Sequence, residues 1–165
     1  MNAQLGRAFV FGDDVTTDAL APGAYMKQPI QILAQHCMES IAPSFATQVK
    51  LGDFVVGGSN FGMGSSREQA VIALNILGVK GVIALSFAGL FYRNCFNLGL
   101  VPLVCADALK INAGDNLSIN LRDGVIQNHT QCTQYQVEAV PPSLLAMLES
   151  GGLIPHLKKT LKPQV

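Results

Sequence analysis

The chain has 165 residues, 49% of them apolar and 13% charged, with a mean hydropathy of +0.33. That length supports one domain with a real core. A charged fraction near half the ~25% usual for soluble domains leaves apolar surface to spare for a partner. Eleven basic residues balance eleven acidic ones, which excludes the footprint of a nucleic-acid binder or a polybasic membrane anchor. Residues 1–7 lack an apolar signal core, and the longest apolar runs are strand-sized, so the chain reads as cytoplasmic.

In chain order, a short strand is expected over 7–11, ending at Gly12. Residues 13–25 carry Gly, Pro, Asp and Thr without apolar period and read as a long loop of the functional kind. Pro29 suits the first turn of a helix carrying Ile32, Leu33, Cys37 and Ile41, and 43–49 adds a helical turn. The middle alternates: a buried strand over 53–58, a loop over 59–65, then a helix with Ala70, Ala73, Leu74 and Leu77 on one face, closed by Gly78. A strand over 79–85, a helix over 87–98 stopped by Gly99 and a strand over 100–105 follow, the pattern of a parallel α/β unit. The last third reads as a hairpin (116–121 and 125–128, turning at Arg122-Asp123-Gly124), a strand over 135–140, a helix over 141–150 and a C-terminal helix or tail over 151–165. No linker or repeat divides residues 1–165, so a single domain is expected, with its core over about 5–150.

Two loops carry the polar chemistry. Gly57-Gly58-Ser59-Asn60-Phe61-Gly62-Met63-Gly64-Ser65-Ser66-Arg67-Glu68-Gln69 joins a strand to a helix. Its four glycines permit close approach of a ligand. Either serine can cap the helix, in the capping boxes Ser65–Glu68 or Ser66–Gln69. Helix amides beside the Arg67 fork suit a carboxylate or phosphate. No Lys is present for a Walker loop, and Arg67 stands where a dinucleotide fingerprint needs its third glycine. The other loop, Gly12-Asp13-Asp14-Val15-Thr16-Thr17-Asp18, satisfies its own backbone or forms a second wall of a site. Spacing leaves both readings open. Cys37, Cys95, Cys105 and Cys132 show no metal-ligand spacing and read as reduced thiols buried in the core. His36, His129 and His156 are scattered and read as ordinary residues.

Taken together and in order, Gly12-Asp13-Asp14-x-Thr16-Thr17-Asp18, Asn60-Phe61-Gly62-x-Gly64-Ser65-Ser66-Arg67-Glu68, residues 33–39, Phe91-Tyr92-Arg93-Asn94 and Asn97-Leu98-Gly99-Leu100 resemble the swivelling domain of the aconitase superfamily. Length and motif order resemble its detached small subunits, those of isopropylmalate isomerase and homoaconitase. The resemblance implies a β/β/α three-layer swivelling fold of the aconitase C-terminal type. It implies a hydro-lyase subunit that interconverts hydroxy-dicarboxylates by dehydration and rehydration, as in leucine biosynthesis. The subunit would act only as a heterodimer with a large subunit that carries a [4Fe–4S] cluster, and would bind no metal or cofactor itself.

Carried over position by position, Ser65 is the base that removes the proton α to a carboxylate. Ser66 and Arg67 hold a substrate carboxylate, and Thr17 and Asp18 add polar contacts or orient groups on the cluster side. Lys27, after Tyr25-Met26, lies where relatives tune substrate choice, and either meets a polar substrate arm or is solvated. Glu68 is expected to cap. Gln69 departs from the usual His, and Gly89 from the usual Arg; the resemblance puts isopropylmalate first as substrate, with those of 2,3-dimethylmalate dehydratase and homoaconitase as alternatives. A dicarboxylate-binding module without chemistry is the alternative from another class.

Overall fold

The computed structural model describes residues 4–161; the first three residues of the N-terminal stretch read above and the last four of the chain lie outside it. Seven strands form one sheet. They are β1 (Gly6–Val10), β2 (Phe54–Gly57), β3 (Gly81–Ala84), β4 (Val101–Val104), β5 (Asn116–Asn120), β6 (Val125–Asn128) and β7 (Thr133–Gln136), ordered β4-β3-β2-β1-β5-β6-β7. The first four run parallel and the last three are antiparallel, with β1 pairing β2 on one side and β5 on the other. The helices are α1 (Thr17–Leu20), α2 (Ile30–Gln35), α3 (Phe45–Gln48), α4 (Glu68–Ile76), α5 (Gly89–Leu98), α6 (Pro142–Glu149) and α7 (Leu153–Thr160).

Side chains alternate faces along a strand, and here each face has its own core. Val55, Val82 and Ala84 point to the helices, where they meet Leu33, Ala70, Ala73, Leu74, Phe91 and Cys95. Their neighbours Phe54, Val56, Ile83 and Leu103 point the other way, to Ala8, Leu117, Ile126 and Tyr135. The antiparallel strands therefore fold back over the parallel ones. The Glu138 amide bonds the Val104 carbonyl (2.9 Å) and Cys105 Sγ approaches the Gln136 carbonyl (3.5 Å), so the curl brings the two edge strands together. The layers are antiparallel strands, parallel strands and helices, as the resemblance implies.

Three readings are corrected. The loop over 13–25 holds α1, capped by Thr16 accepting from the Ala19 amide, and a 3-10 turn at Gly23–Tyr25. Four-residue helices carry too few apolar repeats to be read from period. The strand expected over 135–140 is β7, Thr133–Gln136, because its partner begins at Val125, which pairs with Gln136. Beyond that point the chain crosses to β4. Residues 87 and 88 precede α5, which starts at Gly89. Among the described residues no helix is long and apolar enough to cross a membrane.

Candidate active site

In parallel α/β sheets ligands gather beyond the carboxyl ends of the strands. There the two polar loops, which follow β1 and β2, run side by side. Gly58 donates to the Gly12 carbonyl (3.0 Å), Asp14 to Ser59 (2.9 Å), Gly62 to Val15 (2.7 Å) and Thr17 to Met63 (2.8 Å). Asp13 Oδ1 accepts the Ser59 amide (2.7 Å). Asp14 and Asn60 both adopt the left-handed conformation (φ 54° and 57°) and bond each other through Asn60 Nδ2 and Asp14 Oδ1 (3.2 Å). Asn and Asp tolerate that region better than other side-chain-bearing residues. Phe61, fully buried, anchors the second loop against Phe87 and Phe91, with ring centroids 6.0 and 5.5 Å away.

The loop then turns at Gly64 (φ 108°), and the Ser65 carbonyl is held twice, by Thr17 Oγ1 (2.6 Å) and the Arg67 amide (2.7 Å). That clamp overturns the expected capping boxes. Arg67, in extended conformation, is the N-cap of α4, and no side chain caps it. Ser65, Ser66 and Glu68 are exposed, and the two serine hydroxyls make no hydrogen bond among the described residues. The Glu68 and Gln69 amides likewise lack intrahelical acceptors, whereas the Ala70 amide bonds the Arg67 carbonyl (3.2 Å). Thr17 is 1% exposed, and its hydroxyl donates to the Ser65 carbonyl, which ties the first loop to the second.

Arg67 reaches back to the first loop. Its Nη1 donates to Asp18 Oδ1 (3.1 Å) and to the Ala21 carbonyl (2.9 Å), leaving Nη2 and Nε without partners among the described residues. Asp18 Oδ1 also accepts the Gly23 amide (3.1 Å). One nitrogen thus tethers the guanidinium while the rest of the fork stays available for an anion. Lys27 is exposed just past the 3-10 turn and forms no ion pair among the described residues. Gly89 is exposed, and a side chain added there would meet open space. A depression of about 390 Å³ lies against the first loop, lined by residues that include Asp13, Asp14, Asp18 and Ile41. Ser65, Ser66 and Arg67 stand outside its lining, on an open face.

This fold, with its pair of interlocked loops at the carboxyl ends of β1 and β2, defines a swivel-type α/β domain. The aconitase C-terminal domain family matches residues 18–108, and the chain belongs to it. It is 46% identical to 3-isopropylmalate dehydratase small subunit 2 of Archaeoglobus fulgidus over 157 residues, 94% of each chain. It is 47% identical to the methanogen homoaconitase small subunit of Methanothermobacter thermautotrophicus, covering 94% of this chain and 91% of that one. The solved 3-isopropylmalate dehydratase structure of Methanocaldococcus jannaschii superposes with a TM-score of 0.90 at 44% identity, covering 94% of this chain and 93% of that one.

An iron–sulfur cluster of the aconitase kind does not fit this chain's own residues. Cluster ligation needs thiolates gathered at one accessible place. Cys37, Cys95 and Cys105 are buried; burial pushes the Cys37 thiol up to about 12 and the Cys95 thiol higher still. Cys132, expected to be buried, is exposed in the turn between β6 and β7. No group of three His, Cys, Asp or Glu suited to a metal occurs among the described residues.

Proposed function

We propose that this chain is the small subunit of a hydro-lyase of the 3-isopropylmalate dehydratase type. It supplies Ser65 as the base and Arg67, with Ser66, as the carboxylate clamp. One observation carries this reading: Ser65, exposed and with its hydroxyl unpartnered among the described residues, lies two residues before the N-cap of α4 on a loop clamped through its carbonyl, and that N-cap is Arg67, whose guanidinium keeps Nη2 and Nε free. A serine is a poor base until its alkoxide is stabilised. The α4 amides and the Arg67 charge supply fixed positive potential where that charge forms. In the step assigned to this chain, the Ser65 alkoxide takes the carbon-bound proton α to the carboxylate, and the C–H electron pair becomes the second bond of the alkene as the hydroxyl on the neighbouring carbon leaves. Asp18 holds Arg67 in place. Because the Ser65–Arg67 face is open, the site is completed by a second surface, which we assign to a large subunit carrying the [4Fe–4S] cluster.

The test reconstitutes the chain with that large subunit and follows 3-isopropylmalate turnover. Ser65→Ala is expected to lower kcat by about 10²–10⁴-fold, the usual worth of a positioned proton acceptor, with unchanged circular dichroism. Undiminished turnover would remove Ser65 from the chemistry. Dicarboxylate binding by the isolated chain, without turnover in any reconstituted pair, would favour the binding-module alternative.

A second reading rests on Lys27, an exposed cation close in sequence to the Gly23 contact with Asp18. In a homoaconitase-type enzyme Lys27 meets an additional substrate carboxylate. Lys27→Ala would then weaken turnover of homocitrate and leave isopropylmalate unaffected.

A further inference from the structure

Residues 22–28 connect the Asp18–Arg67 pair to Lys27, and their backbone bonds are almost all internal. Tyr25 donates to Pro22, Met26 to Gly23 and Gln28 to Tyr25. The Gly23 amide bond to Asp18 is the exception. Gly23 also lies against the guanidinium: a Cβ built on it would be 3.9 and 4.0 Å from Nη2 and Nη1 of Arg67. What else holds the segment is a stack. The Tyr25 ring lies parallel to the His36 ring, with centroids 3.6 Å apart and planes 6° apart. His36 is braced from behind, its Nδ1 being 2.6 Å from Glu39 Oε2. Tyr25 and Met26 rest their remaining surface on the helical core.

Resting on the functional reading above, we propose that the Tyr25–His36–Glu39 stack is a positioning device. It fixes residues 22–28 and thereby the Arg67 clamp and Lys27. Ser65 makes no hydrogen bond with residues 22–28: its carbonyl is held by Thr17 Oγ1 and the Arg67 amide, and the Thr17 amide bonds Met63 beside it. Loosening the stack therefore weakens substrate capture while proton transfer continues. Aromatic stacking is worth enough for a change of roughly threefold to tenfold in the ordered population.

The variants are Tyr25→Leu, His36→Leu and the conservative Tyr25→Phe, which keeps the ring. In the reconstituted enzyme with 3-isopropylmalate, the two leucine variants are expected to raise KM roughly threefold to tenfold with kcat held within about twofold. Tyr25→Phe should restore the wild-type KM. An unchanged KM, or a fall in kcat alone, overturns the proposal and leaves a merely structural pair. Hydrogen exchange on the full-length chain supplies a readout that needs no activity. Amides over 24–28 should exchange faster in the leucine variants and normally in Tyr25→Phe, with α4 unaltered. Unchanged exchange sinks the device even if Ser65→Ala is inactive. Faster exchange in a chain whose Ser65→Ala remains active would uphold the latch and sink the catalytic reading.

Discussion

At the scale of single residues, function depends on which donors are already committed. Arg67 spends one nitrogen on Asp18 and the Ala21 carbonyl and keeps the others. A lysine can offer neither that division nor a planar fork, because its ammonium is a single point. Arg67→Lys is therefore expected to lower kcat/KM by about 10- to 100-fold, the worth of lost charge-assisted hydrogen bonds. Most of that change should fall in KM if the carboxylate is bound equally in ground and transition states. A variant within twofold of wild type would show that charge alone suffices. The serine beside it was legible from its motif. Its freedom was not, since the same Ser-x-x-Glu pattern equally describes a helix cap; α4 instead takes Arg67 as its N-cap, and no side chain caps it.

At the scale of elements, the second loop is held in place by glycines meeting aromatic rings. Gly62 has φ 83°, and a Cβ there would fall 2.1 Å from Phe91 Cγ, a ring only 1% exposed. Left-handed backbone costs a side-chain-bearing residue about 1–2 kcal/mol, and forcing volume into a packed core about 1–3 kcal/mol more. Gly62→Ala is thus expected to destabilise the fold by about 2–5 kcal/mol, read from the denaturation midpoint at unchanged m-value. A loss below about 0.5 kcal/mol would mean that the loop shifts freely. The two central helices were legible because α5 is amphipathic over nearly three turns, α4 carries an apolar run from Ala70 to Leu74, and each is followed closely by a glycine with positive φ, Gly78 and Gly99. The end of β7 escaped because pairing stops where β6 begins, a fact about the partner strand and not about residues 137–140.

For the whole molecule, the curl of the sheet is the organising feature, and Asp115 guards the place where β1 meets the antiparallel layer. Burial opposes its charge. Hydrogen bonds from Asn128 (2.7 Å), the Asn112 amide (2.9 Å) and Gln131 (2.6 Å) outweigh that, so its carboxyl lies below the usual value. A pKa lowered on folding adds stability that is complete above the unfolded value, about 3.9, and is lost as pH falls through the folded one. Asp115→Asn should therefore be less stable at pH 7 and lose less on acidification below about pH 4, read from urea midpoints across pH. Parallel pH profiles for the two proteins would refute that role. At the carboxyl end of the parallel strands Ser65 and Ser66 stay exposed, so the proposed reaction needs a second surface to close the site.

The order of strands and helices through the parallel unit, the hairpin and the two polar loops were determined by local sequence: apolar period, turn residues and glycine stops act over a few residues. Tertiary structure decided what depends on partners far along the chain. It folded the antiparallel strands over the parallel ones, turned Thr17 inward, freed the serine hydroxyls from capping and exposed Cys132. It also placed His36, an ordinary residue by spacing, face to face with Tyr25. Contacts between groups from eleven to dozens of residues apart, such as Tyr25 with His36 and Thr17 with Ser65, set those outcomes, because a hydroxyl, thiol or ring takes its role from what lies against it.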